Sequence, residues 1–204
     1  DSEAIIELGE QEATSFFSTN PEDWISGMIG ENVIWDYAFL PMGTSCDYIA
    51  MDPADSPYLD SFPESDIYFQ CTQRDGSGFF SDQHTFYTID NGHLQLAGNV
   101  SLSNTNPSYD SIFVVFTNPL DVGTFPYVFQ DQTEDTFEAR VSTYASETNV
   151  VAIQSGTSKH EVDSYGTLTT PSGTFMNTIR VKRTELSETV LPGIPIPTFQ
   201  ESYR

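Results

Sequence analysis

Cations are the scarcest charged groups in this chain. Seven Lys and Arg stand against 30 Asp and Glu in 204 residues, a formal net charge of −23, and only Lys159 and Lys182 are lysines. A surface of that sign repels phosphates instead of releasing their counterions, which excludes a nucleic-acid partner. Long apolar runs are missing too. Nothing approaches the roughly 20 residues that cross a bilayer as a helix, and no basic leader precedes a hydrophobic stretch. The expectation is a soluble chain without membrane insertion, from which any export leader has been removed. Cysteine is limited to Cys46 and Cys71, 25 residues apart, with no CxxC and no histidine cluster to suggest zinc. A disulfide closing that loop would add very roughly 3 kcal/mol and would persist in an oxidising compartment. Two free thiols are the alternative.

Large apolar side chains, by contrast, are plentiful. With 15 Phe and 10 Tyr the chain buries enough surface to fold despite its charge. The length suits one domain over residues 1–190, two small sandwiches being the other arrangement, followed by a Pro-rich extended segment or linker over 191–204. An acidic, lysine-poor surface also stays hydrated where salt screens its self-repulsion, although plain solubility explains it as well.

Helical periodicity is weak. Only Ser2 to Phe17 carries a broken amphipathic face, and a strand reading is equally open there. Elsewhere short β-branched and aromatic runs alternate with Gly, Pro, Asn and Asp clusters. The runs read as strands are Val33 to Phe39, Asp66 to Thr72, His84 to Ile89, Leu94 to Leu102, Ile112 to Thr117, Phe137 to Tyr144, Val150 to Gln154, Gly166 to Thr170 and Phe175 to Lys182. Asp75-Gly76 and Asn91-Gly92 supply hairpin turns. The clearest hairpin joins Tyr165 to Thr170 with Phe175 to Lys182 across Pro171-Ser172-Gly173-Thr174, with Gly173 free to turn left-handed. Its second strand reads Phe175, Ile179 and Val181 as the packed face and Thr178, Arg180 and Lys182 as the wet one. The prolines from Leu191 to Pro197 favour an extended edge segment or a linker. The expected fold is an all-β antiparallel sandwich, jelly-roll or immunoglobulin-like, with few or no helices.

Charge is unevenly spread. Residues 1–75 hold 16 carboxylates and the single cation Arg74, whereas Arg180, Lys182 and Arg183 gather near the far end. Opposed patches of this kind pair within a domain or steer assembly between neighbours, and solvated faces are the plainer reading.

Candidate chemistry is thin. Calcium wants six to eight hard oxygens, and Asp52, Asp55, Asp60, Glu64 and Asp66 crowd one proline-punctuated loop. Gln130 to Asp135 forms a second acidic loop, and neither has the DxDxDG spacing of a dedicated calcium loop. Solvated acidic loops are the alternative. Thirty carboxylates make pairs suited to glycosidic cleavage inevitable and uninformative. A serine hydrolase needs nucleophile, base and orienting acid within reach, yet no GxSxG elbow is present, and His160 beside Asp163, which could orient an imidazole, is more often a surface hydrogen bond. Trp24, Tyr48 and Tyr58 offer a platform on which sugar rings stack, whereas Trp35 reads as core. Asn99-Val100-Ser101 is a glycosylation sequon, and Ser111 within Asp110-Ser111-Ile112 fits a serine-linked acceptor pattern.

One stretch is more specific. Val162-Asp163-Ser164-Tyr165-Gly166-Thr167-Leu168, then Pro171-Ser172-Gly173-Thr174-Phe175 and Asn177-Thr178-Ile179-Arg180-Val181-Lys182, resembles the "DGYGTLxxPxGTYxNVLRVK" signature of secreted Bacteroidetes proteins. Those proteins usually end in a type IX secretion sorting domain. Ser164 stands where the signature has glycine. Val33 to Tyr37, Ser61 to Asp66, and Asn118 to Leu120 through Phe125 to Tyr127 are similar to the same family's "xxWDF", "FPxA" and "NPLxxxxFP" segments. The resemblance implies a secreted, β-rich surface module and carries over no catalytic residues. It also implies a partner module beyond Arg204, with trimming after that basic residue as its explanation.

The expected function is therefore a secreted or cell-surface module without catalysis of its own, structural or glycan-binding, with calcium as the one conceivable cofactor. One alternative is a subunit of an extracellular filament or surface layer, joined through the acidic N-terminal region and the Arg180, Lys182 and Arg183 patch, with exposed strand edges augmenting one another. Another is a secreted polysaccharide or peptide hydrolase.

Overall fold

A computed structural model describes residues 9–16, 29–38, 42–74, 80–103, 111–124, 126–143, 150–171, 173–191 and 194–203. Among the described residues eleven strands run in chain order: β1 Gly9–Phe16, β2 Gly30–Asp36, β3 Met42–Met51, β4 Ile67–Arg74, β5 Phe80–Asp90, β6 His93–Ser103, β7 Ser111–Thr124, β8 Gln132–Thr143, β9 Val150–Thr170, β10 Gly173–Leu191 and β11 Ile194–Tyr203. No α-helix occurs among the described residues, only two 3-10 turns at Pro53–Asp55 and Leu59–Ser61. None of them contains a helix long and apolar enough to cross a membrane. Ser2 to Phe17 thus contributes a strand, β1.

The strands hydrogen-bond into one sheet in the order β1-β3-β4-β5-β6-β7-β8-β9-β10-β11. Every neighbouring pair is antiparallel except β2, which lies parallel to β9, with Val33 opposite Gly166 and Asp36 opposite Thr169. At β7 and β8 the sheet divides. Ile112 to Phe116 pair with Ala139 to Thr143, and beyond that point β7 continues on β6 while β8 continues on β9. Side chains replace the ladder across the opening. Thr117 Oγ1 donates to the Glu138 carbonyl at 3.0 Å, and the Asp121 amide donates to Asp135 Oδ2 at 3.0 Å.

The layer β4 to β7 buries both of its faces, because neighbouring residues along a strand point to opposite sides. On one side Tyr68, Phe86, Val100 and Phe113 pack beneath Phe62, delivered by the loop that holds the 3-10 turns. The Phe62 and Phe86 rings stack with centroids 4.2 Å apart. On the other side Ile67, Leu94, Leu120 and Val122 meet Phe137 of β8.

Turn chemistry behaves as expected where it is described. Asn91 and Gly92 take positive φ of 51° and 83° between β5 and β6, and Asp75-Gly76 lies outside the described residues. Trp35 is buried, as expected. Two readings need correction. Val150 to Gln154 and Gly166 to Thr170 are the ends of one strand, β9. The face assignment of β10 fails at three positions, Arg180 being 9 % exposed, Phe175 51 % and Ile179 37 %, whereas Val181 is half-buried. Bulges between Phe175 and Thr178 and between Arg180 and Val181 break the two-residue alternation on which that assignment relied. Residues 194–203 pair with β10 throughout as an edge strand. Pro195 and Pro197 share one parity, so their missing donors fall on the outer edge and the ladder to β10 is spared.

Candidate functional site

Where the sheet divides, β5 to β7 and β9 to β10 line a common cavity of about 300 Å³. Its walls are Tyr87, Leu94 and Val122 on one side, His160, Ile179, Val181 and Arg183 on the other, with Tyr127 at the junction. Tyr127 is seated by Gly123, at φ +140°, where an added Cβ would stand 2.5 Å from the tyrosine ring. Its hydroxyl donates to the Val122 carbonyl at 3.2 Å.

A polar seam runs along the inner face of β9 and β10. Ser158 Oγ lies 3.0 Å from His160 Nε2 and accepts from Arg183 Nε at 3.2 Å. Arg183 Nη2 donates to Glu185, and Gln154 Nε2 donates to Glu185 Oε1 at 3.4 Å. Ser158 is completely buried and Glu185 nearly so. With one acceptor site already taken by arginine and no path for an incoming carbonyl, Ser158 is not placed to attack a substrate. The seam fixes the rotamers of His160 and Arg183, which leaves an apolar, tyrosine-bearing groove with two oriented polar walls.

Two further polar clusters stabilise the molecule away from the groove. Asp163 and Arg180 form a buried bidentate pair, Nε to Oδ1 at 2.8 Å and Nη2 to Oδ2 at 2.9 Å, and the guanidinium carbon lies 5.6 Å from the Trp35 ring centroid. Tyr37 nearby has its pKa raised by burial, a shift that Arg180 opposes. In the layer β4 to β7, Tyr68 Oη and His84 Nδ1 are 2.6 Å apart, and His84 Nε2 lies 3.2 Å from Asp82 Oδ2. A neutral imidazole protonated on Nε2 satisfies both contacts. Burial lowers the His84 pKa against the opposing pull of Asp82, while burial, then Asp82 and Tyr58, push Tyr68 up to about 12.

The residues singled out from sequence are dispersed. Asp52 caps the first 3-10 turn through Ala54 N at 2.9 Å, and Asp66 accepts from Ile89 N at 2.7 Å. Asp55 and Asp60 sit in the two 3-10 turns, and Glu64 lies exposed in the same loop. They do not converge, and no group of three metal-ligating side chains occurs among the described residues. In the second acidic loop Asp131 Oδ2 accepts from Val128 N at 3.0 Å. Tyr58 is no open platform, because its ring meets His84 edge-on at 4.9 Å and Phe113 at 5.5 Å. Trp24 and the Tyr48 side chain lie outside the described residues. Asn99 is half-buried in mid-β6 between β5 and β7, and Ser111 is buried.

Each cation of the expected patch has a carboxylate partner within the chain, the pairing inside a domain that the uneven charge allowed. Arg180 is consumed by Asp163, Lys182 pairs with Glu201 at 2.8 Å, and Arg183 pairs with Glu185. Asp163 therefore serves Arg180, and His160 takes Ser158 instead. The groove itself was not anticipated, being assembled from five strands and a turn. Its one sequence trace is alternation, with Ser158, His160 and Val162 facing in and Lys159 and Glu161 less buried.

No protein-family model matches the chain, and neither a curated protein nor a solved structure matches it. The residues resembling the secreted signature form the β9 and β10 hairpin. Gly166 lies where β2 crosses, and an added Cβ would stand 1.8 Å from the Val33 carbonyl oxygen. Gly173 and Asn177 supply positive φ, and Asp163 with Arg180 supplies the buried pair.

Proposed function

We propose that this chain is an exported, non-catalytic module of the cell exterior that binds a small ring-bearing ligand, such as a terminal sugar of a glycan, in the groove between β5 to β7 and β9 to β10. The observation that carries the reading is the groove's composition. A cavity of about 300 Å³ is at the lower end for small-molecule sites, and its lining is apolar with few convergent polar groups. The apolar face of a sugar ring stacks on Tyr87 or Tyr127, and its hydroxyls reach the oriented His160 and Arg183. We further infer that the divided sheet acts as a β-sandwich, its two layers being the strands on either side of the β7 and β8 opening.

Export is supported by the acidic surface, by the signature hairpin and by a Cys46 to Cys71 disulfide that we infer across adjacent strands. Cys71 is 2 % exposed on β4 opposite Tyr48, two residues from Cys46 on β3. Intact mass with and without reductant after alkylation tests that bond, and labelling of both thiols in unreduced protein contradicts it. The function is tested by a glycan array probed with the wild-type chain and with Tyr127→Ala and His160→Ala. Retention of particular glycans by the wild type, lost in both variants, is the expected outcome. No retention on any glycan, or retention indifferent to both substitutions, sinks the reading.

A further inference from the structure

The segment that joins β7 to β8 spans the opening between the two layers and carries Tyr127 into the groove. Its far end is fastened to β9 by backbone bonds and a ring contact. Gln130 N donates to the Val162 carbonyl and Val162 N to the Asp131 carbonyl, each at 2.9 Å, and the Phe129 ring meets Tyr165 edge-on at 5.4 Å. Its near end hangs on a histidine and a carboxylate. His93 Nδ1 lies 2.7 Å from Asp121 Oδ2, while Asp121 Oδ1 accepts from the Gly123 amide at 2.9 Å. Gly123 is the surface against which the Tyr127 ring sits. Direct contacts therefore run from His93 through Asp121 and Gly123 to Tyr127. His93 itself is not in the groove wall: Leu94 is, and its neighbour along β6 points to the opposite face.

We propose that Asp121 is a positioning residue for the groove and His93 its pH-dependent partner, the pair holding Gly123 and Tyr127 firmly while the imidazole is charged and loosely once it is neutral. The inference rests on the groove being the binding site. Histidine is the side chain whose charge changes between about pH 5 and 8, and a hydrogen bond between ions is stronger than one to a neutral donor. The charged groups that face His93 from the strands beside it are carboxylates. Asp90 is its partner on β5 and Asp121 its contact on β7, and Asp135 of β8 lies behind, accepting from the Asp121 amide at 3.0 Å. When the imidazole gives up its proton, the carboxylate that orders Gly123 loses its counter-charge and is left facing Asp90 and Asp135. Raising the pH through that window therefore loosens the seat of Tyr127, and ligand affinity falls. Exposure limits the size of the effect. The His93 side chain is 41 % exposed, and a pair so open to solvent is worth a small factor, on the order of threefold in affinity and less in high salt.

Two titrations of the full chain from about pH 5 to 8 test this. Without ligand, the His93 side chain, the Gly123 amide and the Tyr127 ring, followed by NMR, are expected to titrate with one midpoint, and the Gly123 and Tyr127 responses to vanish in His93→Gln. With a monosaccharide retained on the array, affinity is expected to fall roughly threefold across the range. It is expected to be level in His93→Gln, and level at the tighter, acid value in His93→Lys, which keeps a charge there throughout. His160, present in the groove wall of all three proteins, cannot produce that pattern. Gly123 and Tyr127 blind to the His93 midpoint, responses that persist in His93→Gln, or an affinity whose pH dependence is undiminished in that variant overturns the proposal. Sugar bound at no pH sinks the groove as a binding site, and the ligand-free titration then decides the coupling by itself, so the two failures are told apart.

Discussion

Two regions of this sheet are held together by different physics. In the layer β4 to β7 the buried centre is aromatic: Tyr68 stacks on Phe86 at 5.1 Å and Phe86 on Phe62 at 4.2 Å. Where β2, β9 and β10 meet, the centre is ionic, Asp163 with Arg180 beneath the Trp35 ring. Aromatic packing loses stability in proportion to the cavity a truncation leaves. A buried ion pair loses it through the partner left charged and alone, and an apolar pair of similar volume can replace it at little cost. The comparison teaches that a region can be fully buried without being hydrophobic, and rescue experiments tell the two kinds apart.

The sharpest break is Phe86→Ala beside Arg180→Ala. Each is expected to cost about 3–5 kcal/mol in urea unfolding. Only the second is expected to be largely recovered by a further apolar replacement, Arg180→Met with Asp163→Leu. Failure of that rescue would mean that the pair also specifies the hairpin. Gly166→Ala comes next, at about 1–3 kcal/mol for a Cβ forced against β2. Hydrogen exchange is expected to accelerate at Val33 to Trp35 while amides of β4 to β7 keep their protection, and uniform acceleration would erase the distinction between the regions.

The sequence was informative where side chains alternate and reticent where neighbours override them. β4, β5 and β6 were legible because Ile67, Phe69 and Cys71, and likewise His84 and Phe86, alternate with more polar residues and end in recognisable turns. The middle of β9, from Ser155 to Glu161, is polar throughout and was not read as strand. It is extended because β8 and β10 pair with it on both edges, which backbone hydrogen bonds accomplish whatever the side chains are. β3, with its mixed Met42 to Met51 composition, was missed for the same reason. Bulges hid the buried side of Arg180, since a single extra residue exchanges the two faces of a strand. The groove left almost no trace, because His160 and Arg183 acquire their setting from Tyr87, Leu94 and Val122, remote in sequence.

A smaller effect lies in the pH dependence of the aromatic layer. His84 has a folded pKa below its ordinary 6.5, so the unfolded chain takes up a proton first as pH falls, and stability declines below about pH 6.5. Tyr68, raised from 10.0 to about 12, is ionised first in the unfolded chain, so stability also declines as pH rises above about 10. Thermal unfolding of wild type against Tyr68→Phe is expected to show the alkaline decline flattened in the variant. An identical profile in both would remove Tyr68 from the account.

The smallest expected change in stability belongs to the groove, where Tyr127→Ala removes a half-buried ring and costs about 1–2 kcal/mol. That substitution matters for binding instead. The most direct measurement is therefore amide chemical-shift mapping of the isotopically labelled chain during titration with the mono- and disaccharides retained on the array. Shifts gathered at Tyr87, Leu94, Val122, Tyr127, Val181 and Arg183 are predicted. Shifts gathered on Ile153, Leu186 and Phe199, or none at saturating sugar, would contradict the claim that the opening between the layers is the binding site.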